Sequence, residues 1–204
     1  MGGFDAAAFQ AETGVSRETL DRLAAYAATL RKWQPKINLV GPSTLPEAWR
    51  RHFLDSAQLL PLIPESARLL VDLGSGAGFP GLVLAILGVP EVHLVESDSR
   101  KCAFLREAAR AADARVTVHN KRIEAVIGVA ADVVTARALA PLSDLLAWAH
   151  PFIGNRGVAI FPKGQNVAEE LTDTTKYWKM RTERFDSRTD PTGTILRVSG
   201  IDRV

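Results

Sequence analysis

Four glycines and an aspartate near position 75 have the types and spacing of a ligand-binding turn. Gly74, Gly76, Gly78 and Gly81 follow a short apolar segment, and Asp72 lies just before the first of them. Glycines let a backbone bend sharply and approach a ligand because they carry no side chain. A buried strand, a glycine turn and the start of a helix form the nucleotide-binding segment of doubly wound α/β folds, so we expect a ligand here.

A second acid lies at the end of the next apolar segment, about 20 residues after the turn. Glu96 is placed where a carboxylate accepts hydrogen bonds from both hydroxyls of a ribose. The turn alone does not select the ligand, because Gly76, Gly78 and Gly81 also satisfy the dinucleotide fingerprint G-x-G-x-x-G. A tight turn that binds nothing is a further interpretation.

Three features favour S-adenosylmethionine over NAD as the cofactor. Methyltransferases carry an acid at the position of Asp72, where dinucleotide enzymes usually have an apolar residue. The glycines begin one step earlier than in the dinucleotide fingerprint, at Gly74. The third feature is a hairpin predicted from the last two strands.

Strands and helices alternate after the turn, which predicts a parallel sheet with helices on both faces. The last two strands are joined by loop 186–193 without a helix, so we expect them to pair antiparallel. The predicted fold class is therefore α/β: a Rossmann-like class I methyltransferase with a seven-stranded, mostly parallel sheet and a terminal antiparallel hairpin. The predicted strands are 69–73, 92–96, 115–119, 132–135, 157–161, 179–185 and 194–199, and the predicted helices are 80–87, 100–112, 123–129, 141–149 and 167–178.

The residues before the sheet have a helical pattern. Helices are predicted at 5–13, at 16–33 with Ser16 as the N-cap, and at 47–60. We expect residues 1–66 to form a helical extension packed on a methyltransferase domain at 67–204, as one compact unit. Arg50, Arg51 and His52 either face solvent or face the cofactor site, and the sequence alone favours solvent.

Composition excludes several classes of protein. A chain of 204 residues with a formal net charge of +2 has only a weak basic balance, which permits an anionic partner without arguing for one. The single cysteine, Cys102, excludes a disulfide framework and a zinc site built on paired cysteines. The N-terminus resembles no signal peptide, and no apolar segment is long enough to cross a membrane. We expect a cytoplasmic protein without a metal.

Two features that the sequence lacks limit which atoms the enzyme could methylate. Methylation of a pyrimidine carbon usually needs a cysteine nucleophile, and Cys102 is predicted on a helix away from the strand ends. Enzymes that methylate exocyclic amines often carry Asn/Asp-Pro-Pro-aromatic after the fourth strand, whereas 135–141 has a different sequence. Guanine N7 has a free lone pair, so an enzyme that holds it in line with the sulfonium methyl needs no base.

A set of short motifs, in this order, resembles the glucose-inhibited division protein B family. Members of that family, also called ribosomal small subunit methyltransferase G, are bacterial 16S ribosomal RNA guanine-N7 methyltransferases. The resemblance covers nearly the whole chain. It rests on Trp33, Asn38-Leu39, 51–56, 72–81, Glu96-Ser97, Arg100-Lys101, 122–124, 136–138 and Lys163-Gly164.

The resemblance implies methyl transfer from S-adenosylmethionine to N7 of a guanine in 16S ribosomal RNA. The partner would be this RNA or the small ribosomal subunit, with no membrane association, and we expect a monomer. A methyltransferase of small molecules or proteins, a dinucleotide-dependent reductase and a cofactor-binding assembly factor are the alternatives. The residues and the resemblance together give these cofactor contacts: Asp72, Gly74, Gly76, Gly78, Phe79, Glu96, Ile123, Glu124 and Arg137.

Four residues are candidates for handling the substrate by the same resemblance: Arg51, His52, Arg137 and Lys163. Arg137 follows the fourth strand, at the sheet edge where ligands bind in open α/β folds. A salt bridge to a nearby carboxylate is its structural alternative. Lys163 has a similar place after the fifth strand and could meet a phosphate as a point charge.

Overall fold

Two capped helices open the chain. The computed structural model describes residues 3–153 and 156–204. Helix α1 spans Ala6–Thr13 and helix α2 spans Arg17–Trp33. The Ser16 side chain accepts a hydrogen bond at the start of α2, which confirms the predicted N-cap. Gly14, in the left-handed region with φ of 70°, ends α1 and lets the chain turn into α2.

The prediction of one continuous α-helix at 47–60 is wrong. This segment consists of a π-helical segment at Trp49–Leu54, a short helix α3 at Asp55–Ala57 and a 3-10 turn at Leu60–Leu62. The π-helical turn is wider than an α-turn and changes which side chains face inward. His52 is buried beside Phe53, whereas the sequence alone favoured solvent for it.

Seven strands form a single sheet, which confirms the predicted architecture. The parallel part consists of β1 to β5 in the order β3-β2-β1-β4-β5, and β7 follows β5. Strand β7 runs antiparallel to both of its neighbours, β5 and β6. The strands are β1 Leu69–Leu73, β2 Glu91–Glu96, β3 Thr117–Asn120, β4 Val133–Ala136, β5 Val158–Lys163, β6 Trp178–Asp186 and β7 Thr194–Arg203.

Helices cover both faces of the sheet. They are α4 Gly81–Ile86, α5 Ser99–Ala111, α6 Leu142–Ile153 and α7 Val167–Thr174. The predicted helix 123–129 is wrong: only a 3-10 turn forms at Ile123–Ala125, and Gly128 adopts a left-handed φ of 75° that a helix does not allow. The helix predicted at 167–178 is also too long, because Trp178 already begins β6.

The N-terminal helices and one face of the sheet share a hydrophobic core. Phe9, Tyr26 and Phe53 are fully buried in the same cluster as Leu94 of β2 and Leu105 of α5. A second cluster on the other sheet face is formed with α6 and α7. This packing places the segment that carries His52 over the carboxyl ends of the parallel strands. In the part of the chain that the structure describes, no helix is long and apolar enough to cross a membrane.

Candidate functional site

The glycine turn after β1 has three residues in the left-handed region. Gly74, Gly76 and Gly78 have φ of 62°, 54° and 90°. A Cβ at Gly74 would lie 2.6 Å from Leu139 Cδ1, and one at Gly78 would lie 2.8 Å from Tyr26 Oη. At Gly76 the nearest atom would be 3.7 Å away, so this position opens into free space. Packing requires the first and third glycines, whereas the second leaves room for a ligand.

Tyr26 of α2 holds the turn from below. Its hydroxyl donates a hydrogen bond to the Ala77 carbonyl, and its ring stacks on Phe79 with 5.2 Å between centroids. Full burial raises the pKa of Tyr26 well above its usual range, so the hydroxyl keeps its proton. The sequence analysis missed Tyr26, because its helical spacing marks it only as a core residue.

Asp72 lies beneath the turn, fully buried at the end of β1. The Thr135 hydroxyl donates to its Oδ1 over 2.8 Å, and its Oδ2 has no hydrogen-bond partner among the described residues. Burial raises the pKa of Asp72 to about 6, despite the Thr135 hydrogen bond. Its Cβ is 2.7 Å from where a Cβ at Gly81 would lie, so Asp72 supports the turn from within.

Glu96 is fixed against the turn by two backbone N–H groups. Its Oε2 accepts from Gly76 over 2.9 Å, and its Oε1 accepts from Asp98 over 2.8 Å. Carboxylate oxygens accept more than one hydrogen bond, so each keeps capacity for a ligand. Glu96, Ile123 and Glu124 line a cavity of about 330 Å³, here called the Glu96 cavity.

A larger cavity of about 470 Å³ lies between the glycine turn and the N-terminal segment. We call it the His52 cavity. The two cavities share Gly74, Gly76, Arg137 and Ala138, so they adjoin along these residues, and together we call them the groove. Its other main lining residues are Thr44, Arg51, His52, Asp55, Phe79, Thr189 and Asp190.

His52 is neutral in this cavity. Its ring stacks on Phe79 with 5.0 Å between centroids, and its Nε2 lies 2.8 Å from the Thr44 hydroxyl. Burial, together with the positive charges of Arg137 and Arg51, lowers the pKa of His52 to about 3. Its Nδ1 is buried without a hydrogen-bond partner in the described part of the chain. Both Arg51 and His52 line the cavity, but only His52 is buried, whereas Arg51 is exposed at its edge. Arg50 is also exposed and donates to the Arg188 carbonyl.

Arg137 lies where the two cavities join. Its Nη1 is 3.1 Å from Asp55 Oδ2 and donates to the Arg51 carbonyl over 3.2 Å. Its guanidinium carbon is 5.1 Å from the Phe79 ring centroid. Arg137 therefore forms the ion pair that was the structural alternative, and it also lines the groove, where its contact with a ligand stays a prediction.

Lys163 lines a third cavity beside the groove. Its Nζ lies 2.6 Å from Glu170 Oε2 and donates to the Ala140 carbonyl over 3.2 Å. This cavity has a volume of about 270 Å³ and shares Asp55, Arg137, Ala138 and Asp190 with the His52 cavity. The charge of Lys163 is already balanced, so it is less available for a phosphate than the sequence suggested.

The structure therefore divides the predicted site residues into three groups. The groove brings together Gly74, Gly76, Phe79, Glu96, Ile123, Glu124, His52 and Arg137. Asp72 lies under the turn, Gly78 belongs to the turn but lines neither cavity, and Lys163 lies beside the groove. Cys102 is buried on α5, and its thiol faces the Glu96 carbonyl. It lines neither cavity of the groove, as the sequence predicted.

The loop between β6 and β7 completes one wall of the His52 cavity. Thr189 donates from its hydroxyl to Asp55 Oδ1 over 2.7 Å, and Asp190 lines the cavity beside it. The sequence marked 190–193 only as a turn. Its role at the site depends on contacts with residues 130 and 134 positions away, which no local pattern encodes.

A family model matches most of the chain. The model described as GidB, rRNA small subunit methyltransferase G, matches residues 19–189. The chain belongs to this family. It is 63% identical over 198 residues to the ribosomal RNA small subunit methyltransferase G of Rhodospirillum centenum, covering 97% of this chain and 92% of that protein. It is 60% identical over 192 residues to the protein of the same name from Paramagnetospirillum magneticum, covering 94% of each.

Solved structures share the fold at low sequence identity. A mutant of MtNAS in complex with S-adenosylmethionine matches with a TM-score of 0.60 and 14% identity, over 96% of this chain and 84% of that one. A TehB-like SAM-dependent methyltransferase from Corynebacterium glutamicum matches with a TM-score of 0.57 and 14% identity, over 87% and 99%. These likenesses confirm the predicted Rossmann-like class I methyltransferase fold.

Proposed function

We propose that this protein transfers a methyl group from S-adenosylmethionine to N7 of a guanine in 16S ribosomal RNA of the small subunit. The main support is the groove, in which the Glu96 cavity and the His52 cavity adjoin at Gly74, Gly76 and Arg137. A transferase needs two such sites that meet where the group is transferred. Family membership supports the choice of substrate.

The residues of the Glu96 cavity fit the cofactor. Glu96 keeps free acceptor capacity for the ribose hydroxyls, while Ile123 and Glu124 lie where the adenine would pack. The open position at Gly76 leaves space that any side chain would fill. Arg137 and the backbone at Gly74 would contact the methionine portion. Bound there, S-adenosylmethionine supplies a methyl group activated by its sulfonium. Asp72 and Gly78 act on this site through the shape of the turn.

The residues of the His52 cavity suit a neutral aromatic base. His52 stays uncharged at neutral pH and lies against Phe79, so it provides a flat aromatic wall. Arg137 is held between Asp55 and Phe79 at the junction. Guanine N7 carries its own lone pair, so these residues would act by positioning the base and excluding water and not by removing a proton. Lys163 would contribute only from the adjoining cavity.

The proposed partner is RNA within the small ribosomal subunit, and the proposed location is the cytoplasm. The net charge of +2 is too small to support strong nonspecific binding of RNA. We therefore expect recognition to depend on the shape of a folded subunit.

Transfer of labelled methyl groups to purified subunits tests this proposal. Small subunits from a strain lacking the gene are incubated with the protein and labelled S-adenosylmethionine, and the RNA is digested and analysed by mass spectrometry. We expect one N7-methylguanosine for each subunit. Label found only on small molecules or proteins would favour the alternative methyltransferase. Binding of NADH without binding of S-adenosylmethionine would reject methyl transfer altogether.

A further inference from the structure

The loop between β6 and β7 is fixed to the N-terminal segment at several points. Arg188 donates from its backbone N–H to Gln58 Oε1 over 2.8 Å, and its guanidinium is paired with Glu12 over 2.9 Å. Thr189 donates to Asp55 over 2.7 Å. Most turns at the end of a hairpin need no such contacts. The anchoring holds the next residue along the loop, Asp190, at a defined place on the wall of the His52 cavity.

Asp190 presents a free carboxylate oxygen there. Its Oδ1 accepts from the backbone N–H and the hydroxyl of Thr192, over 2.9 and 2.8 Å, which fixes the orientation of the side chain. Its Oδ2 forms no hydrogen bond with the residues described. The Thr192 N–H holds the pKa of Asp190 below its usual range, and the nearby Arg51 guanidinium contributes, so the carboxylate is ionised at neutral pH.

Asp190 lies on a different wall of the cavity from the glycine turn. The turn follows β1 and the loop precedes β7, and β4 and β5 lie between these strands in the sheet. The side chains of both walls reach the same cavity, so a base bound there can contact both. Guanine carries N7 and its Watson–Crick donors on adjoining edges, so a base whose N7 faces the cofactor can turn its N1–H and 2-amino group toward the loop.

We propose that Asp190 recognises the target base as guanine by accepting hydrogen bonds from its N1–H and its 2-amino group. This inference rests on the proposed function. Guanine presents two donors side by side on that edge, and the free Oδ2 of Asp190, an acceptor with two lone pairs, can accept from both. Adenine presents an acceptor at N1 and has no 2-amino group, so it would leave the carboxylate unpaired. Arg51, on the same cavity, is the complementary donor for O6 of guanine.

The variant Asp190→Asn tests the proposal. Asparagine keeps the shape and the Oδ1 acceptor for Thr192, but places an amino group where the base presents its donors. With small subunits from the deletion strain, we expect kcat/KM to fall about 10- to 100-fold, the usual effect of losing hydrogen bonds to a charged group. The KM for S-adenosylmethionine should stay within about twofold of the unmodified protein's value. Asp202→Asn, at the exposed far end of β7, is the matched control and should have normal activity.

A second variant separates base recognition from the shape of the loop. Thr192→Ala removes one hydrogen bond to Asp190 but keeps the carboxylate. This variant should retain most of its activity if the Asp190 carboxylate recognises the base. It should lose as much activity as Asp190→Asn if Asp190 serves only to hold the shape of the loop. The latter result would overturn the proposal.

Inosine at the methylated position provides the decisive comparison, because it lacks only the 2-amino group. Subunits are reconstituted from 16S RNA ligated with inosine or guanosine at the position identified by mass spectrometry. We expect inosine to slow the unmodified protein about 10-fold and to slow Asp190→Asn little further. Equal inosine penalties in both proteins would overturn the role of Asp190 while leaving the proposed function intact. No methyl transfer to any subunit would overturn the function itself.

Discussion

Two acids predicted to serve the same ligand have different environments in the structure. Glu96 is held by backbone N–H groups at the mouth of the groove, whereas Asp72 is buried under the turn with an unpartnered Oδ2 in the part of the chain described. The sequence places both acids correctly at strand ends. It could not separate their roles, because burial depends on what packs over the strand.

Asp72 should make folding stability depend on pH. Its pKa is about 6 in the folded protein, against an ordinary value of 3.8, so the folded state binds more protons between these values. The free energy of unfolding therefore falls as pH rises through this range and levels off above it. Asp72→Asn removes this loss. Relative to the unmodified protein, we expect the variant to gain about 2 kcal/mol of stability between about pH 4.5 and about pH 7.5.

Urea unfolding at several pH values measures this gain. Asp186→Asn, at the exposed end of β6, is the control and should follow the unmodified protein at every pH. If the free energies of unfolding of Asp72→Asn and of the unmodified protein differed by the same amount at every pH, the pKa of Asp72 would be equal in the folded and unfolded states.

At the scale of elements, helix α2 determines the shape of the ligand-binding turn. Tyr26→Phe removes the hydroxyl that donates to the Ala77 carbonyl and leaves that carbonyl buried without its partner. We expect a loss of about 1–2 kcal/mol in stability. We also expect weaker binding of S-adenosylmethionine in calorimetry, because the turn is less well ordered. Tyr177→Phe is the matched control, since Tyr177 is 64% exposed and should be replaceable without effect on either measurement.

Asp55 links three elements through its two oxygens. Asp55→Asn keeps Oδ1 as an acceptor for Thr189 but removes the charge that pairs with Arg137. We expect kcat for methyl transfer to fall about 10-fold or more, since loss of one partner of a shielded pair releases the other. Glu12→Gln is the control, because it weakens the loop anchor at Arg188 and leaves Arg137 paired. Equal losses of kcat in the two variants would show that Asp55 acts only through the loop.

The elements themselves could be predicted from the sequence where the signal is local. The glycine turn, the Ser16 cap and the alternation of strands and helices depend on residues within a few positions of each other. The prediction fails at 123–129, where the left-handed Gly128 prevents a helix that apolar spacing favours. It also fails at Trp49–Leu54, because apolar spacing cannot distinguish a π-helical turn from an α-helix. The Arg137–Asp55 and Thr189–Asp55 contacts join residues 82 and 134 positions apart, beyond any local pattern.

At the scale of the whole molecule, we propose that residues 1–66 and 67–204 unfold together. Phe9 of α1 is fully buried in the same core as β2 and α5. Phe9→Ala should cost about 3 kcal/mol of stability. Hydrogen exchange followed by mass spectrometry should show the same loss of protection in peptides from α2 and from β1. Ile127→Ala, at an exposed position, should change neither. Loss of protection in the N-terminal helices alone would instead indicate a separate folding unit.

The arrangement of β7 has a consequence for how the protein is made. Strand β7 is synthesised after β6 yet lies between β5 and β6 in the sheet. The loop that carries Thr189 and Asp190 therefore cannot take its place over Asp55 until β7 has left the ribosome and joined β5. A nascent chain that already holds the complete glycine turn still lacks one wall of its groove. The catalytic competence of this enzyme should thus arise only after β7 has left the ribosome.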